Sequence, residues 1–267
     1  MHKHRLTTTL LWVYAALTIY ALLSPWLHLP KLPFVTSSGL TVLAFVFALM
    51  HASQRMGWER ALLFVGLAFC IGLLFESVGV LTGLIYGPYH YTTHLGPRFL
   101  GLVPYAIPMA WFMMMYPSYV IAERLIPTPM KKWRWRLSVA ALGGIVMTAW
   151  DVVMDPMMVA GGNWVWEVEG AYFGVPLQNY WGWWLTSFVT LALFAWLGRI
   201  DPTQPTSQPN NFDRLAVFSY AITALGNMIA ALLIGLAGPA LAGLFAMGPW
   251  VMLSLREREE GCVKRET

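Results

Sequence analysis

Charge is scarce in this chain. Asp, Glu, Lys and Arg make up 11% of its 267 residues, where a soluble globular domain carries about 25%. Hydrophobic residues reach 58% and the mean hydropathy is +0.57. That balance excludes an ordinary water-soluble domain and points to a polytopic membrane protein. Cysteine is rarer still. Cys70 lies in an apolar run and Cys262 in a polar tail, so the two read as free thiols and not as a disulfide framework. The pI of about 9.1 does not imply nucleic acid, because the basic residues are scattered over short loops, the pattern that sets topology in membranes. No nucleic-acid partner is expected.

Several catalytic inventories are also missing. The chain has six histidines, two of them, His2 and His4, at the extreme N-terminus. His90 and His94 alone could not hold the metal pair of a membrane di-iron hydroxylase. There is no Ser/His/Asp arrangement, no phosphate-cradling glycine loop and no dinucleotide fingerprint. No internal repeat is strong enough to argue for the inverted halves of a transporter.

What the chain does have is a series of long apolar runs. A span needs about 20 mostly apolar residues, and candidates fall at 7–24, 38–54, 60–82, 101–123, 137–158, 181–198, 213–234 and 238–255. The first resembles a signal peptide but lacks a small-x-small site before Pro25, and reads as an uncleaved span. The last two are separated only by the short segment 235–239, so charge decides their number. With eight spans and a cytoplasmic N-terminus, fifteen of the seventeen Lys and Arg lie inside and only Lys31 and Arg98 outside. Dropping the eighth span changes that to eleven against six. The positive-inside rule therefore favours eight helices with both termini cytoplasmic. The expected architecture is an all-α, polytopic membrane helical bundle, a single integral membrane domain over 1–267. Its cytoplasmic linker would be 201–211 and its polar C-terminal tail 256–267. The fourth span carries Pro104, Pro108 and Pro117, which predicts a bent helix against a cavity or a re-entrant segment before 109.

Three acids interrupt these runs: Glu76 in CIGLLFESVGVLTG, and Asp151 and Asp155 in TAWDVVMDPMM. An acid at the centre of a membrane helix costs roughly 2.5–3.5 kcal/mol on insertion scales, so such residues usually face the bundle interior and serve a function. The third and fifth spans run in the same direction, which places all three carboxylates at similar depth in the outer half of the membrane. Asp151 and Asp155 share a helix face, as do Gly72, Glu76, Gly79 and Gly83, whose small residues permit close helix contact. A structural reading stands beside the functional one. Glu76 could hydrogen-bond a neighbouring helix, and Asp155, before Pro156, could end the fifth helix.

The loops after these helices are dense in polar aromatics: Tyr86, Tyr89, His90, Tyr91 and His94 in the first, Trp164, Trp166, Tyr172, Asn179, Tyr180, Trp181, Trp183 and Trp184 in the second. They could form an interfacial aromatic belt. Their Gly and Pro content suggests shaped turns that cap a pocket. Glu167 and Glu169 read as solvated loop charges.

A DxxxD pair could bind diphosphate through Mg²⁺ in a prenyltransferase, but that chemistry needs cations where only Lys31 and Arg98 are available. Cofactor-free acid catalysis on an alkene fits the residues better. A protonated carboxyl donates to the double bond, aromatic faces stabilise the cation by about 0.5–2 kcal/mol each, and a second carboxylate activates water. On this reading Asp155 or Asp151 donates the proton and Glu76 orients the water, with the reverse assignment open. Tyr89, Tyr91, Trp164 and Trp166 would form the cation-stabilising wall and Asn179 would position water. Tyr86 and Trp183 complete the substrate-binding set. No metal ligand is assigned.

The segments FESVGVLTGLIYGPYHYT, GLVPYAIPMAWFMMMYPSYVIAERL and TAWDVVMDPMMVAGGNWVWEVEGAYFGVPLQNYWGWW, within about residues 70–190, resemble the CruF-type carotenoid biosynthesis proteins. The resemblance implies a carotenoid 1,2-hydratase that adds water across the terminal C=C of an acyclic end group and leaves a tertiary alcohol at C1. The implied substrates are γ-carotene, lycopene-like ends or bisanhydrobacterioruberin. It implies no cofactor, location in the cell membrane among lipid, and a downstream carotenoid glycosyltransferase as a functional partner. A non-catalytic carotenoid carrier and an intramembrane carotenoid cyclase are the rival readings.

Overall fold

The computed structural model describes residues 4–201, 203 and 210–256. Most of the segment 201–211 and of the tail 256–267, including Cys262, lies outside the described residues. Eight long helices account for the architecture: α1 (Arg5–Leu23), α2 (Ser37–Met56), α3 (Trp58–Thr82), α4 (Ala106–Leu125), α5 (Lys132–Ala160), α6 (Leu177–Leu197), α7 (Asn210–Leu233) and α8 (Ala237–Leu255). Their bounds follow the apolar runs closely. Six of them, all but α4 and α6, are long and apolar enough to cross a membrane by length and composition. Large apolar side chains such as Trp12, Leu62, Leu74, Leu81 and Phe245 remain exposed on the outer faces, as suits a surface solvated by lipid. The chain forms an all-α membrane bundle.

The two exceptions are informative. α4 is the central helix, packed against α2, α3, α5, α7 and α8, and every residue from Trp111 to Ala122 is buried. A helix sheathed by protein needs no lipid-facing apolar surface and can carry polar side chains. The fourth run begins helically only at Ala106, because Arg98–Phe99 (β2) and Val103–Pro104 (β3) form a short antiparallel hairpin before it. Pro104 thus lies in a strand and Pro108 in the first helical turn, where its missing N–H has no intrahelical acceptor to lose. Only Pro117 falls in the helix interior.

Pro156 does not end α5, which continues to Ala160. An interior proline leaves the carbonyl four residues earlier without its donor. Here that carbonyl is Val152 O, and the Tyr172 hydroxyl donates to it at 3.1 Å. α3 stops where Gly83 takes a left-handed conformation, φ +68°, and its N–H donates to Gly79 O. That conformation is one L side chains avoid.

The loops that follow α3 and α5 meet. Tyr89–Tyr91 (β1) pairs antiparallel with Trp164–Trp166 (β4), matching Tyr89 with Trp166, His90 with Val165 and Tyr91 with Trp164. Side chains alternate across a strand, so YHY and WVW each send two aromatics to one face. Tyr89, Tyr91 and Trp164 are buried and Trp166 half-buried, whereas His90 and Val165 are exposed. The ribbon is a lid whose underside is wholly aromatic.

Candidate active site

Under this lid lies a cavity of about 330 Å³. Every residue singled out above for the site except Asp151 borders it: Glu76, Asp155, Tyr86, Tyr89, Tyr91, Trp164, Trp166, Asn179 and Trp183. The cavity continues between α1, α2 and α7, past Ala21, Leu22, Leu40, Gly226 and Ala230.

Glu76 is placed by α3 and is 4% exposed. It accepts three hydrogen bonds, from the Tyr89 hydroxyl, the Tyr91 hydroxyl at 2.8 Å and Trp111 Nε1 at 3.0 Å. The ribbon and the central helix therefore hold it from two sides. Asp155, on α5, accepts from Trp164 Nε1 at 2.8 Å, Trp166 Nε1 at 3.3 Å and Asn179 Nδ2 at 2.7 Å. The same Asn179 nitrogen donates to Asp151 Oδ2 at 2.5 Å. Asn179 was expected to position water. It also ties the two aspartates together, using both hydrogens of one amide group.

Asp151 is fully buried but does not border the cavity, and its Oδ1 has no hydrogen-bond partner among the described residues. The three acids therefore gather in one place, but only two of them face the hollow. Among the described residues no Lys, Arg or His forms an ion pair with any of the three.

The cavity walls are aromatic. Trp111 stacks on Trp183 with ring centroids 4.3 Å apart, and Trp150 meets Trp183 edge-on at 5.7 Å. Tyr89 contacts Trp166 at 5.0 Å, and Tyr91 meets Trp164 edge-on at 5.9 Å. The glycine face of α3 accommodates rings, not bare backbone. A Cβ at Gly79 would come within 2.6 Å of the Tyr86 ring, and one at Gly182 on α6 within 2.5 Å of it. Tyr86 thus fills a slot between α3 and α6, its hydroxyl paired with Thr186 Oγ1 at 2.8 Å. Reading the sequence did not single out Trp111 or Trp150. A tryptophan in mid-span, away from the interfaces where the residue normally collects, is the signal that could have found Trp111.

His90 and His94 stay at the surface. His90 Nδ1 pairs with Glu167 Oε1 at 3.2 Å, both side chains more than half exposed, and His94 Nδ1 lies 3.2 Å from Gly161 O. Among the described residues, no three His, Cys, Asp or Glu side chains group as a metal site would need.

A family profile described as "Carotenoid biosynthesis protein" matches residues 37–249, which takes in α2 to α7 whole, the larger part of α8 and the acid–aromatic cluster under the lid. A curated relative, the "Bisanhydrobacterioruberin hydratase" of Haloarcula japonica, is 37% identical over 119 residues. That alignment covers 45% of this chain and 39% of the relative, so the chain matches well under half of that protein's length. No solved structure matches the chain. With most of its helices and all three acids inside the matched region, the chain belongs to the carotenoid biosynthesis protein family.

Proposed function

We propose that the protein hydrates the terminal C1=C2 double bond of an acyclic carotenoid end group, with Asp155 and Glu76 as its acid and base. The observation that carries this reading is the placement of two carboxyls on one aromatic-walled apolar cavity without a neighbouring cation. The name of the Haloarcula relative, a hydratase, supports the same reaction class.

The steps balance without any further reactant. The Asp155 O–H bond breaks, and the proton forms a C–H bond at the less substituted alkene carbon with the π pair. The tertiary carbon becomes cationic beside the faces of Trp111, Trp183, Trp164 and Tyr91, each able to contribute about 0.5–2 kcal/mol. A water lone pair forms the C–O bond, and the surplus proton passes to Glu76, which Tyr89, Tyr91 and Trp111 hold as an acceptor. Return of that proton to Asp155 closes the cycle. Asp151 touches no carotenoid in this scheme. It acts through Asn179 as a positioning residue.

The same reading takes residues 1–267 as one domain in the cell membrane with both termini cytoplasmic, 201–211 as the linker and 256–267 as the tail. Its partners are the carotenoid, water and lipid, with a carotenoid glycosyltransferase as the consumer of the alcohol. The test is expression in a host that accumulates γ-carotene, followed by mass analysis of the pigments. Addition of one water to the pigment supports hydration. Unchanged pigment mass with pigment bound to the protein would replace it with a carrier, and an isomer of unchanged mass with a cyclase.

A further inference from the structure

A hydratase with an apolar cavity has to admit water without flooding the hollow that holds its cation. Asp151, Val152, Tyr172 and Tyr180 carry polar groups and lie outside the cavity lining. Asp151 Oδ1 and the Tyr180 hydroxyl are both buried, and neither has a hydrogen-bond partner among the described residues. Tyr172 lies edge-on to Tyr180 at 5.7 Å, and its hydroxyl is bound to Val152 O, the carbonyl next to Asp151. A buried carboxylate oxygen and a buried hydroxyl left unpaired forfeit the hydration they had in water. Water held by such groups is the usual remedy. Tyr172 belongs to the loop between β4 and α6 and is half-buried, so the patch extends to the outer loops.

We infer that Asp151 Oδ1 and the Tyr180 hydroxyl form a water-binding site that feeds the reaction, handing water past Asn179 to the cation. This rests on the hydratase reading. It gives the third acid a role that needs no contact with the carotenoid: it holds the nucleophile and keeps it outside the apolar space until the cation forms.

The proposal separates two steps that a proton-donor role for Asp151 would join. With water supply impaired, Asp155 still protonates the alkene. The cation then loses a proton to a carboxylate, the C–H electrons re-form the double bond, and in D₂O the recovered alkene carries deuterium. The experiment uses the full-length protein in detergent with lycopene as probe, in D₂O, following both the water adduct and deuterium in unreacted lycopene. Tyr180→Phe is expected to slow adduct formation about tenfold, the equivalent of one lost buried hydrogen bond, while deuterium uptake per turnover of protonation persists. Asp151→Asn is expected to shift the ratio of exchange to hydration in the same direction. Size-exclusion profiles like that of the wild type would confirm folded variants. Parallel loss of exchange and hydration, or no change in either, would overturn the inference. Wild-type protein that yields neither adduct nor exchange would remove the hydratase reading beneath it.

Discussion

The two ends of the bundle bury polar groups in opposite ways. At the end away from the lid, Arg55 on α2 pairs with Asp213 on α7, Nε to Oδ1 at 2.8 Å and Nη2 to Oδ2 at 3.1 Å. Its Nη2 also lies 2.6 Å from Glu123 Oε2 on α4. Tyr119 donates to Glu123 Oε1 at 3.0 Å. His51 bridges Tyr116, at 2.6 Å, and Phe212 O, at 2.8 Å, with its ring stacked on Phe212 at 4.1 Å. Each acid there has its cation, and the network joins three helices. Under the lid, three acids share indoles, phenols and one amide, and among the described residues no cation pairs with them. The contrast separates two uses of a buried carboxyl. A paired one is silent and fastens helices together. An unpaired one, held only by neutral donors beside a cavity, keeps its capacity to give or take a proton.

Removing an acid should therefore have different consequences at the two ends. Under the lid, Asp155→Asn or Glu76→Gln is expected to cost about 10²–10⁴-fold in hydration rate, the range for a lost general acid or base. The folded yield should change little, since an amide preserves the shape. Initial rates of water-adduct formation on purified protein check this. A variant that loses stability and keeps its rate would place Asp155 with the paired acids instead.

At the other end the effect should fall on stability. Arg55→Met leaves Asp213 and Glu123 buried without a cation, and breaking such a pair costs about 3–5 kcal/mol. Thermal unfolding in detergent should drop markedly, while the rate per folded molecule stays near wild type. Simultaneous replacement of Arg55, Asp213 and Glu123 by apolar residues of similar size should recover most of the loss. A rate loss in the folded fraction of Arg55→Met would merge the two ends into one functional unit.

A smaller effect tests how Glu76 is held. Tyr91→Phe removes one of its three donors, and hydrogen bonds to charged groups contribute about 1.5–3 kcal/mol. About a tenfold or larger fall in rate is expected, without loss of carotenoid binding measured by pigment absorbance. The least effect should come from Lys132–Asp201, paired at 2.5 Å at the surface. The Lys132 hydrogen bond holds the Asp201 carboxyl down at about 2. A lowered value means that the pair's contribution is present above the ordinary carboxylate range and lost only as the pH falls towards 2. The gap in melting temperature between Asp201→Asn and the wild type should accordingly be small and constant from pH 8 to pH 5, closing only at lower pH.

Much of this comparison was legible in the chain. Glu76, Asp155 and the aromatics of both loops stood out because an acid in an apolar run, or YHY and WVW between Gly-rich turns, departs from the local background. The lid end was visible for that reason. The ion-pair end was not: Arg55, Glu123 and Asp213 sit at helix ends, where charges are ordinary, and only packing makes them partners. Trp111 was hidden likewise, because its bond to Glu76 joins residues on different helices.

The sequence by itself determined the helices and their approximate limits, since hydropathy and helical rise are properties of each segment alone. Tertiary structure alone decided which acids meet the cavity. Asp151 and Asp155 lie four residues apart on one helix face and bond the same Asn179 amide from α6, yet only Asp155 borders the hollow. Periodicity places a side chain on a face of its own helix. It says nothing about the neighbour that covers that face, because the neighbour's rotation is set by long-range packing.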